Sequence, residues 1–127
     1  MDQTVLVSMD IQRGADILAA LDQAKVKVSV ALFAALSEYG DWRMVLAARA
    51  FDELRLRKAY GLIFESLTAA GIGADQTPTI LILPMNDPFI REIRKIFREV
   101  KNVEGMRPGP QLIGGRFIED GYLYRVR

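Results

Sequence analysis

Five cations fall between residues 91 and 101 of this chain: Arg91, Arg94, Lys95, Arg98 and Lys101. Offsets of three and four residues put them on one broad face if the segment is helical. Such a face suits phosphate or nucleic acid, because neutralising phosphates releases condensed counterions. Only Glu92 and Glu99 interrupt it. The formal net charge is +1, yet residues 1–90 hold 8 basic and 11 acidic side chains while residues 91–127 hold 9 and 5. Arg107, Arg116, Arg125 and Arg127 extend the patch if the end of the chain lies beside this helix. The opposing account is a solvated face whose last-turn cations favour the helix dipole. A sequence pI near 8.0 also falls below that of a typical nucleic-acid-binding domain.

A second polar group lies in the last twelve residues: Arg116, Glu119, Asp120, Tyr122, Tyr124 and Arg125. In a regular strand Ile118, Asp120, Tyr122, Tyr124 and Val126 share a face. A carboxylate on an apolar face is costly unless paired, so Glu119 or Asp120 with Arg116 or Arg125, and a tyrosine hydroxyl, reads as a polar site. A β-bulge at Glu119-Asp120-Gly121 would instead turn the acids to solvent. Adjacent residues point to opposite faces of a strand, which counts against a two-carboxylate enzyme here. Tyr39 and Trp42 bracket a turn and form a candidate interface pair, aromatic side chains being common interface anchors. The alternative is that Trp42 closes one end of the core.

Much chemistry is excluded. The chain has no cysteine and no histidine, so disulfides, cysteine or histidine metal sites and Ser-His-Asp triads are absent from it. Asp87 followed by Glu99-Val100-Lys101 has the residue types of a metal-dependent nuclease, but a helix end is the wrong setting for Glu-x-Lys. Gly71-Ile72-Gly73 lacks the further residues of a phosphate loop. No catalytic set, cofactor or metal site is expected. Residues 1–7 open with an acid and a short apolar run, unlike a secretory leader. No stretch reaches the roughly 20 apolar residues of a membrane span. The expectation is a cytoplasmic, bacterial protein without membrane contact.

These residues need a scaffold. At 127 residues with 50% hydrophobic and 26% charged residues, the chain makes a single α+β domain over residues 1–127. Helical spacing predicts a first helix over 9–24, where Gly14 marks a close backbone approach. Period-two alternation predicts a hairpin of 26–36 and 42–48. Asp52 is positioned to cap a second helix over 53–70 that buries Leu56, Ala59, Tyr60, Ile63, Phe64 and Leu67 and stops at Gly71. The run 79–83 between Pro78 and Pro84 reads as a central strand covered on both faces. Asp87-Pro88 starts a third helix to about 101 that buries Phe89, Ile90, Ile93, Phe97 and Val100. Gly114-Gly115 turns a final hairpin that ends in a strand over 116–126. The order is α-β-β-α-β-α-β-β, with about five strands in a mixed or mainly antiparallel sheet and helices mostly on one face.

Two segments carry a resemblance: Asp41-Trp42-Arg43-Met44-Val45-Leu46-Ala47 and Phe117-Ile118-Glu119-Asp120-Gly121-Tyr122-Leu123-Tyr124-Arg125. On these the chain resembles a group of small uncharacterised bacterial proteins with an initial helix, a Trp-Arg strand and a terminal Ile-Glu-Asp-x-Tyr strand. That resemblance implies no catalytic activity and transfers no functional residue. The first expectation is a non-enzymatic binding module that self-associates or joins a protein partner through its strand edges. The second is phosphate or nucleic-acid binding through the third helix. The third is a carboxylate enzyme using Glu119 or Asp120, with or without a metal.

Overall fold

A computed structural model describes residues 8–127. The reading of residues 1–7 as no leader lies outside them. Helix α1 is Ser8–Gln23, followed by strands β1 (Val30–Leu36) and β2 (Trp42–Ala47), a short α2 (Arg49–Asp52) and α3 (Leu56–Ala69). A 3-10 turn (Ala74–Gln76), β3 (Ile80–Ile82), α4 (Pro88–Ile96), β4 (Gln111–Ile113) and β5 (Arg116–Val126) complete the order. The fold is α+β, in the order the sequence predicts. No helix among the described residues is long and apolar enough to cross a membrane.

One five-stranded sheet runs β3-β2-β1-β5-β4. Every pairing is antiparallel except β2 with β3, where a parallel pair needs a crossover and α2 and α3 supply it. The expected alternation of β2 holds. Met44 and Leu46 join a core with Ile17, Leu21, Phe33, Phe51, Ile63 and Leu67 under α1, α2 and α3. Val45 and Ala47 join a second core with Leu32, Phe89, Ile90, Ile93 and Ile118 under α4. Three helices thus cover one face and α4 the other. Phe89, Ile90 and Ile93 are fully buried, and each contributes about 1.5–3 kcal/mol through its removal from water.

Four expectations need correction. The run 79–83 is an edge strand, because β1 needs both neighbours, β2 and β5, and leaves β3 the outer place. Its outward groups are closed by one phenol: the Tyr60 hydroxyl donates to the Ile80 carbonyl at 3.2 Å and accepts from the Ile82 N–H at 3.1 Å. Asp52 does not cap the second helix, since the chain breaks there into α2 and α3 and its carboxylate accepts from the Met85 N–H at 3.3 Å. With that break, Leu56 and Phe64 lie on the solvent side, 59% and 46% exposed. The third helix ends at Ile96 rather than near 101. Phe97 and Val103 then fill the core, while Val100 is 38% exposed.

The last strand departs from regular alternation in the way a bulge predicts. Leu36 pairs with Ile118 but Ala35 pairs with Asp120, so Glu119 is an extra residue. A second shift separates Leu32–Leu123 from Ala31–Arg125. Ile118 and Leu123 therefore pack with α4, whereas Tyr122 and Tyr124 pack with α1.

Candidate functional site

Four arginines are paired with acids within the fold. Arg43 pairs with Asp41, Arg107 with Asp120, Arg125 with Asp22, and Arg116 with both Glu38 and Asp87. Arg91, Arg94, Lys95 and Arg98 make no ion pair with any acid among the described residues. They surround a hollow of about 620 Å³, together with Arg127, Pro88, Gly114, Val126 and the single acid Glu92. Five cationic side chains thus face one acidic side chain in a chain whose net charge is only +1. Helix neighbours three or four residues apart lie about 5–6 Å from each other, inside the screening length of about 8 Å at physiological salt, so a bound polyanion relieves their mutual repulsion.

Local structure places each of them. Asp87 caps α4, accepting from the Phe89 N–H at 2.9 Å, and Pro88 opens it. The buried stripe of Phe89, Ile90 and Ile93 turns Arg91, Arg94 and Lys95 outward. Arg98 follows in the turn beyond the helix. The Arg94 Nε donates to the Arg127 carbonyl at 2.8 Å, which ties α4 to the end of β5 and brings Arg127 to the hollow.

Arg116 holds the other end of α4 from within. Its guanidinium donates to Glu38 at 2.9 Å and to Asp87 at 3.2 Å. Burial works against its charge, but the hydrogen bond and charge of Asp87, with those of Glu38, outweigh burial and hold its pKa above the ordinary value. The hairpin turn at Glu38, the start of α4 and the tip of the β4–β5 hairpin are clamped together by this one side chain.

Arg91 and Arg94 also border a second hollow of about 570 Å³. Phe51, Leu54, Leu56, Ile82, Pro84 and Met85 line it, with Asp52 and Asn86 as its polar members. Sequence reasoning missed this bay because it assigned Leu56 to the core and Asp52 to a cap. The signal was present in Leu54-Arg55-Leu56-Arg57, an alternation that fits no single helix face.

The other expected sites are not assembled. Lys101 lines a separate hollow with Asp22, Glu104, Arg125 and Arg127, where Asp22 is paired with Arg125. Glu119 accepts from the Ser37 hydroxyl at 2.9 Å, Asp120 receives Arg107 at 2.6 Å, and Arg125 grips Asp22 at 2.6 Å. The hydrogen bond from Arg125 holds the Asp22 carboxyl below its ordinary pKa, against the opposing effect of burial. The Tyr124 hydroxyl donates to the Ile11 carbonyl at 2.8 Å, and burial pushes its pKa up. Tyr122 and Tyr124 pack on each other with ring centres 5.0 Å apart, and the other polar residues at 116–125 serve different partners. Tyr39 lies under the Arg43 guanidinium, 3.9 Å from the ring centre, and Trp42 packs against the α1 and α3 core. No group of three acidic side chains among the described residues is placed to hold a metal.

No family model matches the chain, and neither a curated protein nor a solved structure does.

Proposed function

We propose that this protein is a binding module for phosphate polymers, engaged through Arg91, Arg94, Lys95, Arg98 and Arg127. The observation that supports this reading is a local excess of charge: Arg43, Arg107, Arg116 and Arg125 are paired with acids within the fold, while five cationic side chains line one hollow with a single acidic side chain. Guanidinium groups fork onto phosphate oxygens, and folding leaves Arg91, Lys95 and Arg98 without an acid among the described residues.

Inorganic polyphosphate, titrated calorimetrically across a salt series, tests the reading. Affinity is expected to fall steeply with salt, by a slope set by the number of phosphates neutralised. Arg91→Glu with Arg98→Glu should weaken binding about 100-fold or more, since both sites reverse sign on an exposed surface. Salt-independent binding, equal binding by the double variant, or no binding at all sinks it.

Self-association is a second reading, favoured by Leu112 and Phe117. They face each other across β4 and β5 and stay 69% and 43% exposed. Both sheet edges are strands of three residues, with prolines at 78, 84 and 110 beside them. Short, proline-flanked edges resist strand addition, so a second copy would dock through these side chains. Sedimentation velocity of the native chain and of Phe117→Ser decides it: a dimer lost in the variant is expected, and a native monomer at every concentration ends the reading.

A further inference from the structure

The basic hollow does not end at α4. Arg91 and Arg94 form a shared wall with the apolar bay beyond it. On its far side Leu54 and Leu56 line the bay and are exposed. One groove therefore presents cations and then an apolar floor. The floor also carries hydrogen-bonding groups: the Asp52 carboxylate, already bound to the Met85 N–H, and the Asn86 amide.

A duplex would leave that floor unused, because its bases are stacked inside and its phosphates lie outside. A chain of phosphates alone would use only the cationic wall. An acidic peptide could use the wall and the floor, but an apolar side chain seated there presents no polar edge to Asp52 and Asn86. An unpaired base offers both a flat apolar face and a polar edge with donors and acceptors. One helical turn is about 5.4 Å, so Arg91, Arg94 or Lys95, and Arg98 follow a strand in steps that an extended phosphodiester backbone can match.

We infer that the groove binds single-stranded nucleic acid, with phosphates on Arg91, Arg94, Lys95 and Arg98 and at least one base in the bay of Leu54, Leu56 and Met85. This rests on the phosphate-polymer reading and names its ligand. The apolar bay contributes preference for exposed bases, and the shared arginines hold the backbone across the join. Asp52 accepts from an exocyclic amino group, which favours bases that carry one.

Fluorescence anisotropy with three labelled probes tests it: a mixed-sequence DNA strand of about 12 nucleotides, within the site sizes of single-strand binders, an abasic strand of equal length, and the corresponding duplex. The normal strand is expected to bind about tenfold more tightly than the abasic one and more tightly than the duplex. Leu54→Ala with Leu56→Ala should erase the gap between normal and abasic strands while leaving abasic binding unchanged. Both leucines are exposed, at 38% and 59%, so the fold should tolerate the change. Equal binding of normal and abasic strands, or tighter binding of the duplex, overturns the inference and leaves the phosphate-polymer reading standing. Failure of the abasic strand, the normal strand and polyphosphate alike overturns both.

Discussion

Gly114→Ala should lower the thermal midpoint by roughly 10 °C, a loss of about 3 kcal/mol for a chain of this size. Two effects combine. Gly114 has φ +54, where an L side chain costs about 1–2 kcal/mol. An added Cβ would also run into the Pro88 carbonyl and the Phe89 nitrogen. Those atoms are backbone of the first turn of α4, which the Asp87 cap and the buried Phe89, Ile90 and Ile93 hold in place. Relief requires the hairpin tip or the helix to move, and overpacking of that kind costs about 1–3 kcal/mol. Gly115→Ala is the control. Its φ is +85, but nothing lies within 4 Å of the new methyl, so only backbone strain is expected. Calorimetry of both variants separates the terms, and equal losses would mean that the hairpin tip does not press on α4.

Gly14→Ala should destabilise the protein by about 2 kcal/mol, although alanine in a helix interior usually gains about 1 kcal/mol over glycine. The sign reverses because α1 crosses β5 at this point. A Cβ on Gly14 would overlap the Tyr124 hydroxyl and sit 2.6 Å from its Cζ and 2.9 Å from the Phe33 Cε2. Tyr124 is only 9% exposed and is tethered by its bond to the Ile11 carbonyl. Tyr124→Phe alone should cost about 1 kcal/mol through the lost hydrogen bond. In that background Gly14→Ala should cost less, because the nearest obstructing atom is gone. A coupling of at least about 0.5 kcal/mol in the double-mutant cycle is expected. Strict additivity would show that α1 shifts bodily and that the glycine is not a contact point.

The legible parts of this fold were those where local pattern and global packing agree. Gly14, Gly71 and Gly114-Gly115 could be placed because glycine in those settings has few physical explanations. The alternation of β2 was legible because both faces of that strand are buried in the register its side chains imply. The third helix was recognised from Asp87-Pro88, and four cations of its predicted face reach one hollow. Errors arose where residues far apart in sequence decide the outcome. Whether residues 79–83 lie at the centre or the edge depends on β5, some 35 residues later. Asp52 has the side chain of a cap, but its partner is the N–H of Met85. Regular spacing put Tyr122 and Tyr124 with Ile118, and the bulge at Glu119 moved them to the opposite face. The basic bay was foreseeable from α4 alone, whereas the adjoining apolar bay needed α2, α3 and the end of β3 to meet.

The place of β1 in the sheet has a consequence for how the chain is made. This strand pairs with β2 almost at once but waits for β5, which begins 80 residues after β1 ends. At about 5–20 residues per second of synthesis, the interval is several seconds. Through it an emerging polypeptide carries Val30–Leu36, a strand of seven apolar residues, with one side open. The stretch that closes it is Arg116–Val126. Until it emerges, nothing in the fold itself covers that open side of β1.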